Sequence, residues 1–114
     1  MRTLWIFENK TPGTTMRLVV ATKDANVVTY GAVLQQVTAA GKVIVRKWNR
    51  PELEAGVTAE LGKAEGYNVI LLPLIKPNTQ PVLNTDIGFS DGERRVEREP
   101  LFSNEPVGWR IFMA

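Results

Sequence analysis

The segment from Tyr67 to Ile75, YNVILLPLI, is the most apolar part of this 114-residue chain and constrains its fold most strongly. It is far shorter than the roughly 20 residues that a membrane-spanning helix needs. A short apolar run rich in Val, Ile and Leu is typical of a buried central strand, with Pro73 at its end or at a bulge. We therefore expect a sheet to form the core.

Other short runs of strand-forming residues are separated by turn signals. Strands are predicted at residues 2–8, 14–22 and 42–48 and in the C-terminal WRIFMA. Residues 27–37 fit a strand that forms a hairpin with 42–48, but residues 29–40 also fit a helix ended by Gly41. The hairpin is favoured because KVIVRKW is itself a convincing strand pattern.

The clearest helical pattern covers residues 51–65. Its apolar stripe consists of Leu53, Val57, Leu61 and Ala64. Pro51 suits the first turn, Asn49 can cap it, and Gly66 is a natural terminator. We predict an α+β fold, a mainly antiparallel sheet of five to seven strands with one helix (about 51–65) packed on one face. The alternative is α/β with a second helix at about 29–40.

Length and composition indicate one globular domain over residues 1–114, with a loop-rich part from about 76 to 106. Hydrophobic residues make up 44% and charged residues 23%, which is ordinary for a folded domain. The N-terminal apolar patch is too short for a signal-peptide core, so we expect a soluble cytoplasmic protein without membrane association.

The chain contains no cysteine and no histidine. It therefore lacks thiolate nucleophiles, the commonest general base and the usual transition-metal ligands. Acidic residues around Gly88 and Gly92 do not have the spacing of a calcium-binding loop. No glycine-rich phosphate loop is present. We expect a protein that is not an enzyme and that has neither metal nor cofactor.

Charge is distributed unevenly along the chain. Residues 1–50 carry eight cations and two acids, a net +6, whereas residues 51–114 carry six cations and ten acids, a net −4. The two parts sum to the overall +2. This polarity favours either a polyanionic partner or attraction between copies, unless the two halves interleave in space and cancel.

The pentapeptide RKWNR at residues 46–50 is the densest cationic cluster. Regular strand geometry predicts one face bearing Lys42, Ile44, Arg46 and Trp48 and another bearing Val43, Val45 and Lys47. The candidate residues for binding nucleic acid or an acidic partner are Lys42, Arg46, Lys47, Trp48, Arg50 and Arg17, with Arg2 as a further cation. Here the cations would contact phosphates and Trp48 would stack on a base. Alternatively, Trp48 packs over the following helix.

Two further groups are candidates for partner contact. The segment ERRVERE (93–99) supplies Arg94, Arg95 and Arg98, although alternating charges are also typical of a solvated face. Aromatic residues near the two termini suit the core, or an edge strand that presents them to another chain. They are Trp5, Phe7, Trp109 and Phe112.

These features favour a small accessory or inhibitor protein of bacterial or viral type that acts through protein–protein contacts. Its partner would be another protein or a second copy of itself. A nucleic-acid-binding domain built on the basic N-terminal half is the alternative, and it predicts binding that weakens as salt rises.

Overall fold

Nine strands and one short helix form the structure, a computed structural model that describes residues 1–114. The strands are β1 (Arg2–Lys10), β2 (Thr15–Ala21), β3 (Val27–Thr38), β4 (Gly41–Trp48), β5 (Val57–Glu60), β6 (Gly66–Ile75), β7 (Val82–Phe89), β8 (Arg94–Pro100) and β9 (Val107–Met113), and the helix is α1 (Arg50–Ala55). Strands hold 63% of the residues and the helix 5%. The predicted α+β class is therefore wrong, because the protein is mostly β.

The strands form two sheets that pack face to face. Sheet A has the order β1-β9-β6-β3-β4, and sheet B has the order β5-β2-β7-β8. All neighbouring strands are antiparallel except β1 and β9, which are parallel. Each sheet directs alternate side chains toward the other, and these side chains make one core of 23 buried hydrophobic residues.

The six strands predicted from local pattern are present, with small shifts at their ends. The segment 27–38 is strand β3, paired with both β4 and β6, so the alternative of a helix at 29–40 is wrong. Residues 76–106, expected to be rich in loops, contain the hairpin of β7 and β8. Its turn includes Gly92, whose φ of 102° suits glycine.

The predicted helix at 51–65 is wrong over most of its length. The helix starts where expected: Asn49 accepts a hydrogen bond from the Glu52 backbone, and the Glu52 carboxylate accepts one from the Asn49 backbone. It ends at Gly56, whose φ of 101° breaks the helical path. Residues 57–60 then pair with β2 as strand β5, because sheet pairing outweighs the helical spacing of the apolar residues. The six-residue α1 is far too short to cross a membrane, and there is no other helix.

Strand β6 is the central strand expected from the apolar run, and it explains the position of Pro73. It pairs with β3 as far as Ile75, but its pairing with β9 ends at Leu71. Beyond Leu71 one side of β6 has no neighbouring strand, so a proline without an N–H is tolerated there. The Ile75 backbone N–H on this stretch instead donates to the Asn104 side chain at 2.9 Å.

Candidate protein-interaction surfaces

Sheet A turns a second apolar face toward solvent. Residues directly opposite each other in neighbouring strands share a face, so the strand register defines this outer face. Its members are Thr3 and Ile6 on β1, Gly108, Arg110 and Phe112 on β9, Asn68, Ile70, Leu72 and Leu74 on β6, Thr29, Gly31, Val33, Gln35 and Val37 on β3, and Lys42, Ile44 and Lys47 on β4. We call this set the outer face of sheet A.

The centre of the outer face is apolar. Ile70 lies opposite Val33, and the neighbouring Leu72 and Leu74 are 48% and 45% exposed. Leu72 faces Gly31, which has no side chain to cover it. Solvated faces of antiparallel sheets are normally polar, so this composition is unusual for a surface that only contacts water.

Positive charge borders this apolar centre. Lys42 and Lys47 lie along the β4 edge, both exposed, and Arg110 lies on β9 with its guanidinium 5.1 Å from the Phe112 ring centre. None of the paired strand residues that define the outer face is a carboxylate, but exposed Glu65 lines the same depression as Val37, Arg110 and Phe112. The face is therefore apolar in the middle, with more cations than acids at its margins.

The RKWNR cluster does not form the stacking platform that its sequence suggested. A bulge at Val45 reverses the alternation, so Arg46 and Trp48 lie on the side of β4 opposite to Lys42 and Lys47. The predicted face with Lys42, Ile44, Arg46 and Trp48 together is therefore wrong. Trp48 is only 8% exposed and belongs to the core, so its ring is closed to a nucleic-acid base.

Arg50, also in RKWNR, is committed to contacts within the chain. Its guanidinium pairs with Glu54 at 3.1 Å and lies 5.0 Å from the centre of the Tyr30 ring. It also donates to the Val28 carbonyl. Arg17 lies on the outer face of sheet B, opposite Gly88, far from the outward lysines in the fold. The structure thus divides the predicted basic site among separate surfaces.

The three arginines of β8 also have different environments. Arg94 makes a two-pronged contact with Asp86, at 2.9 and 2.6 Å, and holds the pKa of that carboxyl below its usual value. Arg95 points between the sheets, pairs with Glu97 and stacks 3.5 Å from the centre of the Trp5 ring. Arg98 lies on the outward side opposite Asn84, without an ion pair.

Two acids on β8 point between the sheets, which the sequence pattern did not indicate. Glu97 lies opposite Thr85 and is partly exposed, and Glu99 lies opposite Leu83 and is only 9% exposed. Burial, together with the neighbouring carboxylate, raises the pKa of Glu99 to about 7, while the protonated Glu99 beside it lowers the pKa of Glu97. The pair therefore holds one proton over the pH range in which exposed carboxyls have already lost theirs.

The raised pKa of Glu99 predicts a pH-dependent stability. A protonated Glu99 favours the folded state below the ordinary pKa of 4.5, and that contribution is lost as pH rises toward 7. We expect Glu99→Gln, which keeps the neutral shape, to exceed the wild type in unfolding free energy by about 2 kcal/mol at pH 8 and by little at pH 4.5.

Urea unfolding at the two pH values measures this difference. The matched control is Glu105→Gln, which removes the same charge from an exposed loop and should not change the pH dependence. Parallel pH profiles for wild type and Glu99→Gln would contradict the buried proton.

The sequence contained a usable signal for the outer face. The run from Val69 to Ile75 is apolar at nearly every position, whereas a strand with one solvated face should alternate. Such a run predicts a strand with apolar contacts on both sides. In this fold only one side of β6 is covered by sheet B, so the other side remains open to solvent.

No protein-family model, curated protein or solved structure shows a significant match to this chain. Inference about its function therefore starts from its surfaces. Among these, the outer face of sheet A combines apolar exposure with an excess of positive charge at its margins.

Proposed function

We propose that the protein is a non-catalytic accessory or inhibitory module that binds another protein through the outer face of sheet A. The partner would present an apolar patch flanked by acidic side chains. The observation that carries this proposal is the open apolar centre around Leu72, with Lys42 and Lys47 along its β4 edge. Large exposed apolar patches with polar rims commonly mark protein-binding surfaces.

The charge of the face favours a heterologous partner over a second copy stacked on it. Two outer faces packed against each other would bring together the same three cations from each copy, and the paired strand residues of the face supply no acid to neutralise them. Such like charges cost free energy when water is removed from between them. An acidic partner would instead gain from the same cations, chiefly in association rate and orientation.

Nucleic acid is less well suited to this face than an acidic protein. Single-strand binding surfaces combine a cationic track with several exposed aromatic rings. Here Trp48 is buried, and Phe112 is the one aromatic residue of the outer face. The apolar side chains of Leu72 and Leu74 would also lie against the charged sugar-phosphate backbone of the nucleic acid, and they could not replace the water that this backbone loses on contact.

The positions of the perturbed carboxyls also support a binding role rather than a catalytic one. Glu97 and Glu99 perturb each other's pKa, yet neither lines any of five surface depressions on the molecule. A substrate would need access to such groups in a concave site.

The proposal predicts that one charge placed in the apolar centre abolishes partner binding. We expect Leu72→Asp to reduce recovery of a protein partner from source cells by about tenfold or more, because central interface positions dominate affinity. The matched control is Val96→Asp, on the outer face of sheet B, where an apolar strand residue is 63% exposed. Affinity purification with quantitative mass spectrometry compares the two variants with the wild type.

Equal recovery of the partner with both variants would contradict the proposal. A titration with single-stranded oligonucleotides provides the second arm, using the wild type and a Lys42→Glu/Lys47→Glu variant. Tight binding by the wild type that falls with salt and with the charge reversal would favour the nucleic-acid alternative instead.

A further inference from the structure

We infer that the partner holds strand β4 in a cleft and contacts both faces of that strand, with acidic side chains on the two walls of the cleft. This inference rests on the proposed function and adds to it the shape of the partner's binding site, which is a cleft rather than a single patch. The observation behind it is that β4 is exposed even on the side that should face the core.

Strand β4 is exposed on both faces near its middle. Ile44 lies on the outer face of sheet A and is 46% exposed. Val43 points to the opposite side, because it lies across from Gln36, which shares a face of β3 with the core residue Leu34. Val43 is nevertheless 52% exposed. Sheet B therefore leaves this part of β4 uncovered.

The shape of the sandwich explains this exposure. Trp5 of β1 stacks on Arg95 of β8, so the opposite edge strands, β4 and β5, lie together on the other side of the sandwich. Strand β5 has four residues and β4 has eight, so β5 is too short to cover all of β4. Of the residues of β4, Trp48 at its end is the one that is buried. The rest of the strand projects past sheet B and is accessible from both sides.

Cations lie on both faces of β4. Lys42 and Lys47 are on the outer face, and Arg46 is on the opposite side. None of the three forms an ion pair within the chain, and residues 25–51 contain no acid. The exposed acid Glu65 lies on the β6 side of β3, away from β4. Acidic walls on both sides of β4 would therefore pair with cations that the chain itself leaves unpaired.

A two-stranded ribbon that is exposed on both faces would also fit the major groove of a nucleic-acid duplex. The composition of β4 favours a protein cleft instead. Its central side chains, Val43 and Ile44, are apolar, and the strand has only three cations to neutralise phosphates. An apolar centre with charged residues at the rim is typical of protein–protein interfaces.

Site-specific photo-crosslinking in source cells tests the cleft. A photoreactive amino acid replaces Val43 in one variant and Ile44 in another. The matched control replaces Val28, which is 50% exposed and lies eight residues along β3 from Gln36, roughly 26 Å at about 3.3 Å per residue. We expect the same protein adduct from positions 43 and 44 and none from position 28. The cross-linked peptides should come from two different segments of that protein, because the two probes face opposite walls.

A charge reversal on the inner side of β4 adds an arm to this test. We expect Arg46→Glu to reduce the adduct from position 43 by about tenfold or more, because the acidic wall then meets a like charge. Far-UV circular dichroism verifies that each variant is folded. Titration with a DNA duplex of about 20 base pairs at about 0.15 M salt should show no binding tighter than about 1 μM.

The outcomes separate this inference from the proposed function. Adducts from positions 44 and 72 with none from position 43 would overturn the cleft and leave the outer face of sheet A as the binding surface. No adduct from positions 43, 44 and 72 would contradict both. A cross-linked dimer of the chain itself, equal adducts from positions 43 and 28, or tight duplex binding that Arg46→Glu abolishes would also overturn the inference.

Discussion

Gly108→Ala is expected to prevent stable folding. Gly108 lies in β9, between β1 and β6, and a Cβ atom there would be 1.8 Å from the Val69 carbonyl oxygen. The oxygen belongs to the backbone of β6, and the Cβ is bonded directly to the backbone of β9, so neither can move aside without breaking the ladder between these strands. We expect a loss of more than about 4 kcal/mol, a large share of a small domain's stability.

Gly62→Ala is the matched control for this substitution. Gly62 is exposed, and an added Cβ would meet its nearest atom, the Tyr67 hydroxyl oxygen, at an ordinary 3.7 Å. Its unfolding free energy should change by less than about 1 kcal/mol. Urea unfolding followed by circular dichroism compares the variants. Similar stabilities for the two would mean that β9 and β6 are not packed as described.

We expect the acidic partners of Lys10 to contribute more to the stability of the fold than Lys10 does, because the ammonium group of Lys10 is buried. Lys10 is 3% exposed, pairs with Asp91 at 3.0 Å and with Glu93, and lies 4.8 Å from the centre of the Phe89 ring. Burial alone would lower the pKa of Lys10, but the hydrogen bonds and charges of Glu93 and Asp91 outweigh it and raise that pKa. The lysine is therefore charged where water cannot solvate it.

The Asp91→Asn/Glu93→Gln variant leaves the buried charge of Lys10 without its counter-ions. We expect it to lower the unfolding free energy by about 3 kcal/mol. Lys10→Met should lower the unfolding free energy by only about 1 kcal/mol, because an apolar side chain of similar length fills the same space. The two carboxylates are each partly exposed and can be solvated by water once the lysine is removed. Adding Lys10→Met to the double acid variant should restore most of the stability that the double variant loses, because the unpaired buried charge is then removed. Urea unfolding at pH 7 gives all three values.

The decisive comparison is between the loss of unfolding free energy in Lys10→Met and the loss in the Asp91→Asn/Glu93→Gln variant. A larger loss for Lys10→Met would mean that the ion pair itself contributes net stability.

In the sequence, Lys10 follows the strand predicted at residues 2–8, and Asp91 and Glu93 lie on either side of Gly92. Nothing in those local patterns joins positions about 80 apart, because only the packing of sheet A on sheet B brings them together.

Local pattern predicted six of the nine strands and made the helix too long, for a physical reason. Short runs of Val, Ile and aromatic residues identify strands wherever a sheet is available to them. The stripe of Leu53, Val57 and Leu61 fits a helix equally well by spacing. What decides between the two is the free edge of β2, to which residues 57–60 pair, and Gly56, which breaks the helix at a positive φ.

The candidate site was predictable only in part. The exposed cations Lys42 and Lys47 were identified from the sequence, and they border the apolar face. The prediction that Lys42 and Trp48 share a face was wrong. One extra residue in a strand reverses the direction of every later side chain, and the sequence alternation does not show where such a bulge lies. The apolar face itself was missed because a doubly apolar strand is usually covered on both sides.

Site-specific photo-crosslinking in source cells tests the central claim, that sheet A binds a protein through its outer face, most directly. A photoreactive amino acid replaces Leu72 in one variant and Val96 in another, so that each probe stands on a different sheet. We predict one dominant protein adduct from position 72, lost when Lys42→Glu/Lys47→Glu is added, and no such adduct from position 96. The same adducts from both positions, or none from position 72, would contradict the account.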